Sequence, residues 1–190
     1  MIKIGILGDI GSGKSFVAKT FGYPVFNADE EVSKLYRKDK KIYLKLKKKL
    51  PKYIKSFPIK KDEISKAILS RNSNLKKIVK IVHSEIKRKM NFFIKKNKNK
   101  KIIILDIPLL LENKINKKND ILVFVNSKKP EILKRLKNRK NFNKKLFKKF
   151  KDIQLPLAYK KKKSDFIIKN DFTKKTVKKS IRFILNKLIR

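Results

Sequence analysis

Ile2-Lys3-Ile4-Gly5-Ile6-Leu7-Gly8-Asp9-Ile10-Gly11-Ser12-Gly13-Lys14-Ser15 is the stretch on which the reading of the whole chain turns. Ile2 to Leu7 is rich in Ile and ends at Gly8, which predicts a buried first strand followed by a turn. A helix is expected from Lys14 to about Phe21. Between them, Gly8 to Ser15 fits G-x-x-x-x-G-K-[ST] in the setting that gives the pattern meaning, directly after a strand and directly before a helix. Glycines let successive backbone N–H groups turn inward around phosphate oxygens, and the following helix aims its N-terminus at the same anion. Lys14 is expected to bridge terminal phosphates, and the Ser15 hydroxyl to reach Mg2+. The phosphate-binding set is therefore Gly8, Ile10, Gly11, Ser12, Gly13, Lys14, Ser15 and Phe16. Asp9 adds a carboxylate to this loop, so its side chain is expected to point outward or to meet a substrate group.

Working outward, Tyr23 to Phe26 reads as a second strand and Lys101 to Ile107 as a third, its Ile102-Ile103-Ile104-Leu105 run suited to burial on both faces. Asp120 to Val125 and Asp165 to Ile168 follow as the fourth and fifth, and Thr173 to Leu188 has helical spacing at Val177, Ile181, Ile184 and Leu188. Strands alternating with helices predict an α/β fold: a mostly parallel five-stranded sheet covered on both faces. About seventy residues between the second and third strands carry helical apolar spacing at Ile64, Ile68, Leu75, Ile78, Val82 and Ile86, too long for a simple crossover. The expected organisation is a core of 1–30, 101–137 and 164–190, a helical substrate-binding insertion over about 31–100, and a basic lid over about 138–163.

Composition limits the chemistry. The chain has 190 residues, 41% hydrophobic, enough for one domain with an insertion. It has no Cys and one His, which excludes disulfides, thiolate metal sites and a His-based zinc site. No apolar run approaches the roughly 18 residues that span a bilayer, and Gly and Asp come too early for a signal peptide, so a soluble, cytoplasmic protein without membrane partners is expected. The 56 Lys plus Arg against 15 Asp plus Glu give +41. Only seven of the 56 are Arg, and Lys runs such as Lys47 to Lys49, Lys95 to Lys101 and Lys160 to Lys163 are spread along the chain. A dedicated nucleic-acid surface more often concentrates Arg with aromatics, so the excess is read as compositional, with no specific nucleic-acid partner.

In an open parallel sheet the ligand crevice lies beyond the carboxyl ends of the strands. Asp29 follows the second strand and Asp106 ends the third. An Asp at either place can act as general base toward an attacking hydroxyl, hold Mg2+, or cap a helix, for Asp29 the expected helix Glu30 to Arg37; position alone leaves these open. Arg135 and Arg139 stand four apart on one expected helix face, where two guanidiniums can neutralise charge on a transferring phosphoryl group or simply face solvent.

These residues, taken together, resemble the dephospho-CoA kinases, relatives of the nucleoside monophosphate kinases. The resemblance spans nearly the whole chain: the loop Gly8 to Ser15; Asn27-Ala28-Asp29, where the family has Asp-Ala-Asp; His83; Asp106-Ile107-Pro108-Leu109-Leu110-Leu111-Glu112; Arg135 and Arg139; Gln154-Leu155-Pro156; and Ser164-Asp165-Phe166-Ile167-Ile168-Lys169-Asn170. It implies a three-layer P-loop kinase fold and ATP-dependent, Mg2+-assisted phosphorylation of the ribose 3′-hydroxyl of dephospho-CoA, giving coenzyme A and ADP. It further implies Asp29, Lys14, Arg135 and Arg139 as catalytic residues, Asp29, His83, Leu109 and Glu112 as substrate contacts, and Ser15 with Asp106 at the metal. For His83 a buried, hydrogen-bonded structural role stands beside the ligand contact, and for Glu112 a bracing role. A monomer or weak oligomer is expected. The chain departs from the family pattern at Asn27, at Asp9 in place of Gly, at Phe16 in place of Thr and at Ser84 in place of Pro. A nucleoside or nucleotide kinase of the same fold, or a nucleic-acid-binding P-loop ATPase, are the alternatives.

Overall fold

The computed structural model describes residues 1–139 and 142–189, and it divides into two compact units. The first comprises Met1–Asn27, Asn97–Phe142 and Ile153–Arg190. Its strands are β1 (Ile2–Gly8), β2 (Val25–Asn27), β3 (Ile102–Asp106), β4 (Ile121–Asn126) and β5 (Phe166–Lys169). They form one sheet in the order β2-β3-β1-β4-β5, with every neighbouring pair parallel. The five-stranded parallel sheet expected from the sequence is thus present, each strand within one or two residues of its expected bounds.

The apolar alternation explains the layering. Ile4 and Ile6, Ile102 and Ile104, and Val123 and Val125 share one face, where they pack with Val17, Ala18 and Phe21 near α1 (Lys14–Thr20) and with Val177, Ile181 and Ile184 of α9 (Lys174–Leu188). The opposite face takes the alternate residues. Gly5 lies there in the middle of β1, and a Cβ on it would sit 2.5 Å from Leu110 Cδ2, so the missing side chain lets the segment after β3 press against the sheet. The short helix α8 (Leu157–Lys162) also packs on β1. With both faces covered, the Ile-rich run of β3 is wholly buried, as continuous hydrophobicity requires of a central parallel strand.

The second unit comprises Ala28–Lys96 together with Asn143–Asp152. Its helices are α2 (Ala28–Lys38), α3 (Lys40–Lys49), α4 (Lys61–Ser70), α5 (Asn72–Lys96) and α7 (Lys144–Asp152). Helix α5 is the post, burying Leu75, Ile78, Val82, Ile86 and Met90 at helical spacing, and α2, α3 and α4 all pack against it. The segment expected as one lid over 138–163 is therefore divided between units. Helix α7 packs on α4, with Lys149 Nζ donating to Asn72 Oδ1 at 2.6 Å, whereas residues from Ile153 onward belong to the first unit. An amphipathic helix this short finds its stability by covering another helix. Lys140 and Asn141, inside that expected lid, lie outside the described residues.

Two carboxylates organise the helical unit. Burial pushes Glu31 up, but Lys34 and Lys89 hold it below its ordinary range, and the Lys89 contact at 3.5 Å ties α2 to α5. Glu63, in the first turn of α4, accepts N–H bonds from Lys55 and Ser56, both at 3.0 Å, and from Lys60 at 3.3 Å. Burial raises its pKa, but those three backbone donors outweigh it, so the net shift is downward. The stabilisation is complete above the ordinary carboxylate value of 4.5 and fades as pH falls through the lowered folded value. Glu63→Ala should cost about 1 kcal/mol at neutral pH by loss of the cap. Thermal melts of parent and variant should converge as pH falls below that lowered folded value; a gap that persists in strong acid would show that the carboxylate charge is not what stabilises the turn.

Candidate active site

The loop Gly8 to Ser15 leaves the carboxyl end of β1 and enters α1 through Gly13, the N-cap residue, at φ 88°. Gly11 has φ 84°, and a Cβ there would stand 3.0 Å from Ile132 Cγ2 and Leu136 Cγ of α6 (Lys129–Lys137). Both positions need left-handed backbone, which glycine adopts without steric cost. Lys14 reaches back over the loop, its Nζ donating to the Asp9 carbonyl at 2.7 Å and the Gly8 carbonyl at 3.4 Å. The ammonium therefore lies against the backbone of the loop that precedes it. Asp9 is buried and does not point outward: its Oδ1 accepts the Ile10 N–H at 2.7 Å. The carboxylate satisfies a local amide, the preference that gives short Asp side chains their place in turns.

The strand ends next to the loop converge. Register pairs Asn27 with Asp106 at the carboxyl ends of β2 and β3. Asn27 Nδ2 donates to Asp106 Oδ2 at 2.8 Å and lies 3.5 Å from Ser15 Oγ. Hydroxyl, amide and buried carboxylate thus form one cluster beside the first turn of α1. Asn27 supplies a donor to the carboxylate without adding a second negative charge. Hard oxygen donors, one carboxylate and one hydroxyl, suit Mg2+, which takes few protein ligands and relies on substrate phosphates for the rest. Among the described residues no group of three or more His, Asp or Glu side chains offers an alternative metal cage.

On the other flank, the Ser12 carbonyl accepts from Ser127 Oγ at 2.9 Å and from Asn170 Nδ2 at 2.8 Å. Ser127 follows β4 and Asn170 follows β5, so these strand ends clamp the loop. Arg135, on α6, stacks its guanidinium 4.2 Å from the ring centroid of Phe172. Arg139 does not share that helix. The helix ends at Lys137, and Asn138 caps it with its N–H on the Lys134 and Leu136 carbonyls. Phe16, in α1, is partly exposed.

The segment after β3 turns tightly from Leu109 to Ile115, with Ile115 N donating to Leu110 O at 3.0 Å. Leu109 is half-buried at its start. Glu112 is tied down. Its Oε1 lies 2.6 Å from Lys160 Nζ and accepts the Leu155 N–H at 3.0 Å, while Lys160 also donates to Gln154 Oε1 at 3.1 Å. Two stretches quoted from the sequence, Pro108 to Glu112 and Gln154 to Pro156, are thereby joined around one cation. Lys160 is 1% exposed, so the first residue of a lysine run read as part of a compositional excess is the most deeply buried charge among the described residues of the unit. Asp29 and His83 belong to the helical unit. Asp29 lies inside α2, in its first turn, and is not an N-cap residue; there its charge favours the helix macrodipole. His83 is in the middle of α5 with a buried Nε2 that has no hydrogen-bond partner among the described residues. Asn170, Ser127, Lys160 and Phe172 escaped the sequence reading as site residues, although Asn170 closes a motif quoted there.

A parallel sheet in this order, with a phosphate loop after its central strand and a carboxylate at the end of the next, defines a P-loop kinase, a phosphotransferase. The family model for dephospho-CoA kinase matches residues 2–176. A dephospho-CoA kinase of Wolbachia pipientis wMel is 37% identical over 190 residues, covering 97% of both chains. Among solved structures, TT1252 from Thermus thermophilus superposes with TM-score 0.76 at 24% identity, covering 98% of this chain and 97% of its own. Dephospho-CoA kinase from Campylobacter jejuni gives 0.63 at 20% identity, covering 98% and 96%. The chain belongs to the dephospho-CoA kinase family.

The Glu112–Lys160 pair yields a stability prediction. Lys160→Ala leaves a carboxylate buried without its counter-charge and should cost about 3–5 kcal/mol. The double variant Glu112→Gln with Lys160→Met, which keeps the stem and removes both charges, should recover most of that loss in urea unfolding; recovery absent from the double variant would mean that the ammonium and its hydrogen bonds, not relief of an unpaired carboxylate, hold α8.

Proposed function

We propose that this chain transfers the terminal phosphoryl group of ATP to the ribose 3′-hydroxyl of dephospho-CoA, producing coenzyme A and ADP. The observation that carries this reading is the cluster of Ser15, Asn27 and Asp106 at the strand ends, beside the loop on which the Lys14 ammonium folds back, in a chain of that family. The loop from Gly8 to Phe16, together with the Lys14 ammonium, holds the β- and γ-phosphates, so the reacting phosphorus is fixed before chemistry begins. Ser15 and Asp106 would hold Mg2+, which when bound neutralises charge between the β and γ oxygens.

Asp29, two residues beyond Asn27 along the chain, accepts the proton of the 3′-hydroxyl as that oxygen bonds to the γ-phosphorus. The bond from phosphorus to the β–γ bridging oxygen breaks, and its electron pair leaves with ADP. Arg135 and Arg139 neutralise the equatorial oxygens of the transferring group; their fork of N–H donors fits phosphate better than an ammonium does. His83, Leu109 and Glu112 contribute to holding the acceptor, Leu109 through apolar contact. Glu112 does so from a segment that Lys160 keeps rigid, with its Oε2 buried and without a hydrogen-bond partner among the described residues.

Support for the acceptor comes from a panel in which ADP release is followed with Mg-ATP and dephospho-CoA, adenosine, AMP, CMP or single-stranded RNA. Release should require dephospho-CoA. Asp29→Asn should lower kcat by on the order of 100- to 10,000-fold with the fold retained, and Lys14→Ala should abolish turnover. Faster turnover with a nucleoside monophosphate would replace the acceptor, and full activity of Asp29→Asn would remove the base.

A further inference from the structure

Phe172 has φ 65°, left-handed backbone in a bulky aromatic residue, a conformation glycine would adopt without steric penalty. Such an outlier persists only where its surroundings fix it. Here they do. The Phe172 N–H donates to Asn170 Oδ1 at 2.9 Å, and the same side chain's Nδ2 is bound to the Ser12 carbonyl, so one buried Asn couples the turn to the phosphate loop. Beyond Phe172, the Asp171 carboxylate accepts from Thr173 N and Thr176 Oγ1 at the start of α9. The turn is held from both sides.

That backbone projects the ring to a particular place. A Cβ added to Gly13 would lie 3.2 Å from Phe172 Cε1, so the ring rests on the glycine that opens α1. Its face carries the Arg135 guanidinium at 4.2 Å. The residues of α6 on either side of Arg135, Ile132 and Leu136, press on Gly11, so helix and ring both lean on the loop. An exposed Arg side chain samples many rotamers, and stacking on an aromatic face removes much of that freedom. Stacking uses only the face of the guanidinium; its N–H donors lie in the plane and stay available to phosphate oxygens.

We propose that Phe172 is a positioning residue for phosphoryl transfer: its ring, set by a left-handed turn against Gly13, holds the Arg135 guanidinium in place beside the phosphate loop. This inference rests on the role assigned to Arg135 above. A ring with only a packing function would be better served by relaxed backbone.

Steady-state ADP release with dephospho-CoA should be measured for Phe172→Gly, Phe172→Leu, Phe172→Tyr, Arg135→Ala and the double variant Arg135→Ala with Phe172→Leu. Phe172→Leu keeps apolar bulk but has no aromatic face, and should lower kcat/KM for ATP about tenfold, with KM for dephospho-CoA moved less than about twofold. Phe172→Tyr keeps the face and should stay within about twofold of the parent. Phe172→Gly should lose activity like Leu yet melt no earlier than the parent, since it relieves the strained turn. In the Arg135→Ala background the Leu substitution should add almost nothing. Parental kinetics of Phe172→Leu beside an impaired Arg135→Ala would overturn the inference alone, as would losses that multiply in the double variant. Parental kinetics of Arg135→Ala would overturn the role of Arg135 itself.

Discussion

The site depends on one demand of backbone chemistry: a loop that turns its N–H groups toward a common centre must turn carbonyls away from it, and those carbonyls need partners. In this chain Lys14 serves the Gly8 and Asp9 oxygens from within the loop, whereas the Ser12 oxygen accepts from outside it, from Ser127 and from Asn170. Those two outside donors come from the ends of β4 and β5, so the two strands on one side of β1 fix the loop from behind. On the other side β2 and β3 bring Asn27 and Asp106 to Ser15. Glycines at positions 11 and 13 let α6 and the Phe172 ring close in until almost no slack remains. Position and charge at the loop are thus properties of the whole sheet rather than of an eight-residue motif.

Charge is handled differently in the two units. In a chain with 56 Lys and Arg, the few carboxylates are used where one anion can organise several donors. Glu63 collects three backbone N–H groups, Glu31 two lysines, and Glu112 a buried lysine and an amide. A buried ion pair adds little net stability over an apolar pair of similar volume. It does set geometry. Lys160 has three donors, and the two of them spent on Glu112 and Gln154 pin the turn after β3 to the segment leading into α8.

Much of this was legible in the sequence, because buried parallel strands and phosphate loops are written in local patterns. The run Ile102 to Leu105 and the eight residues from Gly8 to Ser15 needed no tertiary information. What could not be read depends on distant partners. Lys160 opens a lysine run that looks like a solvated face; only Glu112, 48 positions earlier, draws it inside. Arg139 fits the helical spacing of Arg135, but the helix stops at Lys137, a boundary that spacing does not specify. Helix α7 has the amphipathic pattern of many surface helices, and nothing local says that α4 is its partner. Phe172 is the clearest case. Propensity argues against a left-handed phenylalanine, and only Asn170, Gly13 and Arg135 together make it the residue that fits.

The position of β1 at the centre of the sheet has a consequence for how the polypeptide comes into being. Its hydrogen-bonding neighbours begin at Ile102 and Ile121, so the first strand leaves the ribosome roughly a hundred residues before either partner exists. Throughout that interval both of its edges, with Ile4 and Ile6 between them, stay open to mispairing with other nascent chains. The phosphate loop can acquire its shape only after β4 and β5 have been synthesised, which makes nucleotide binding one of the last properties the newborn protein gains.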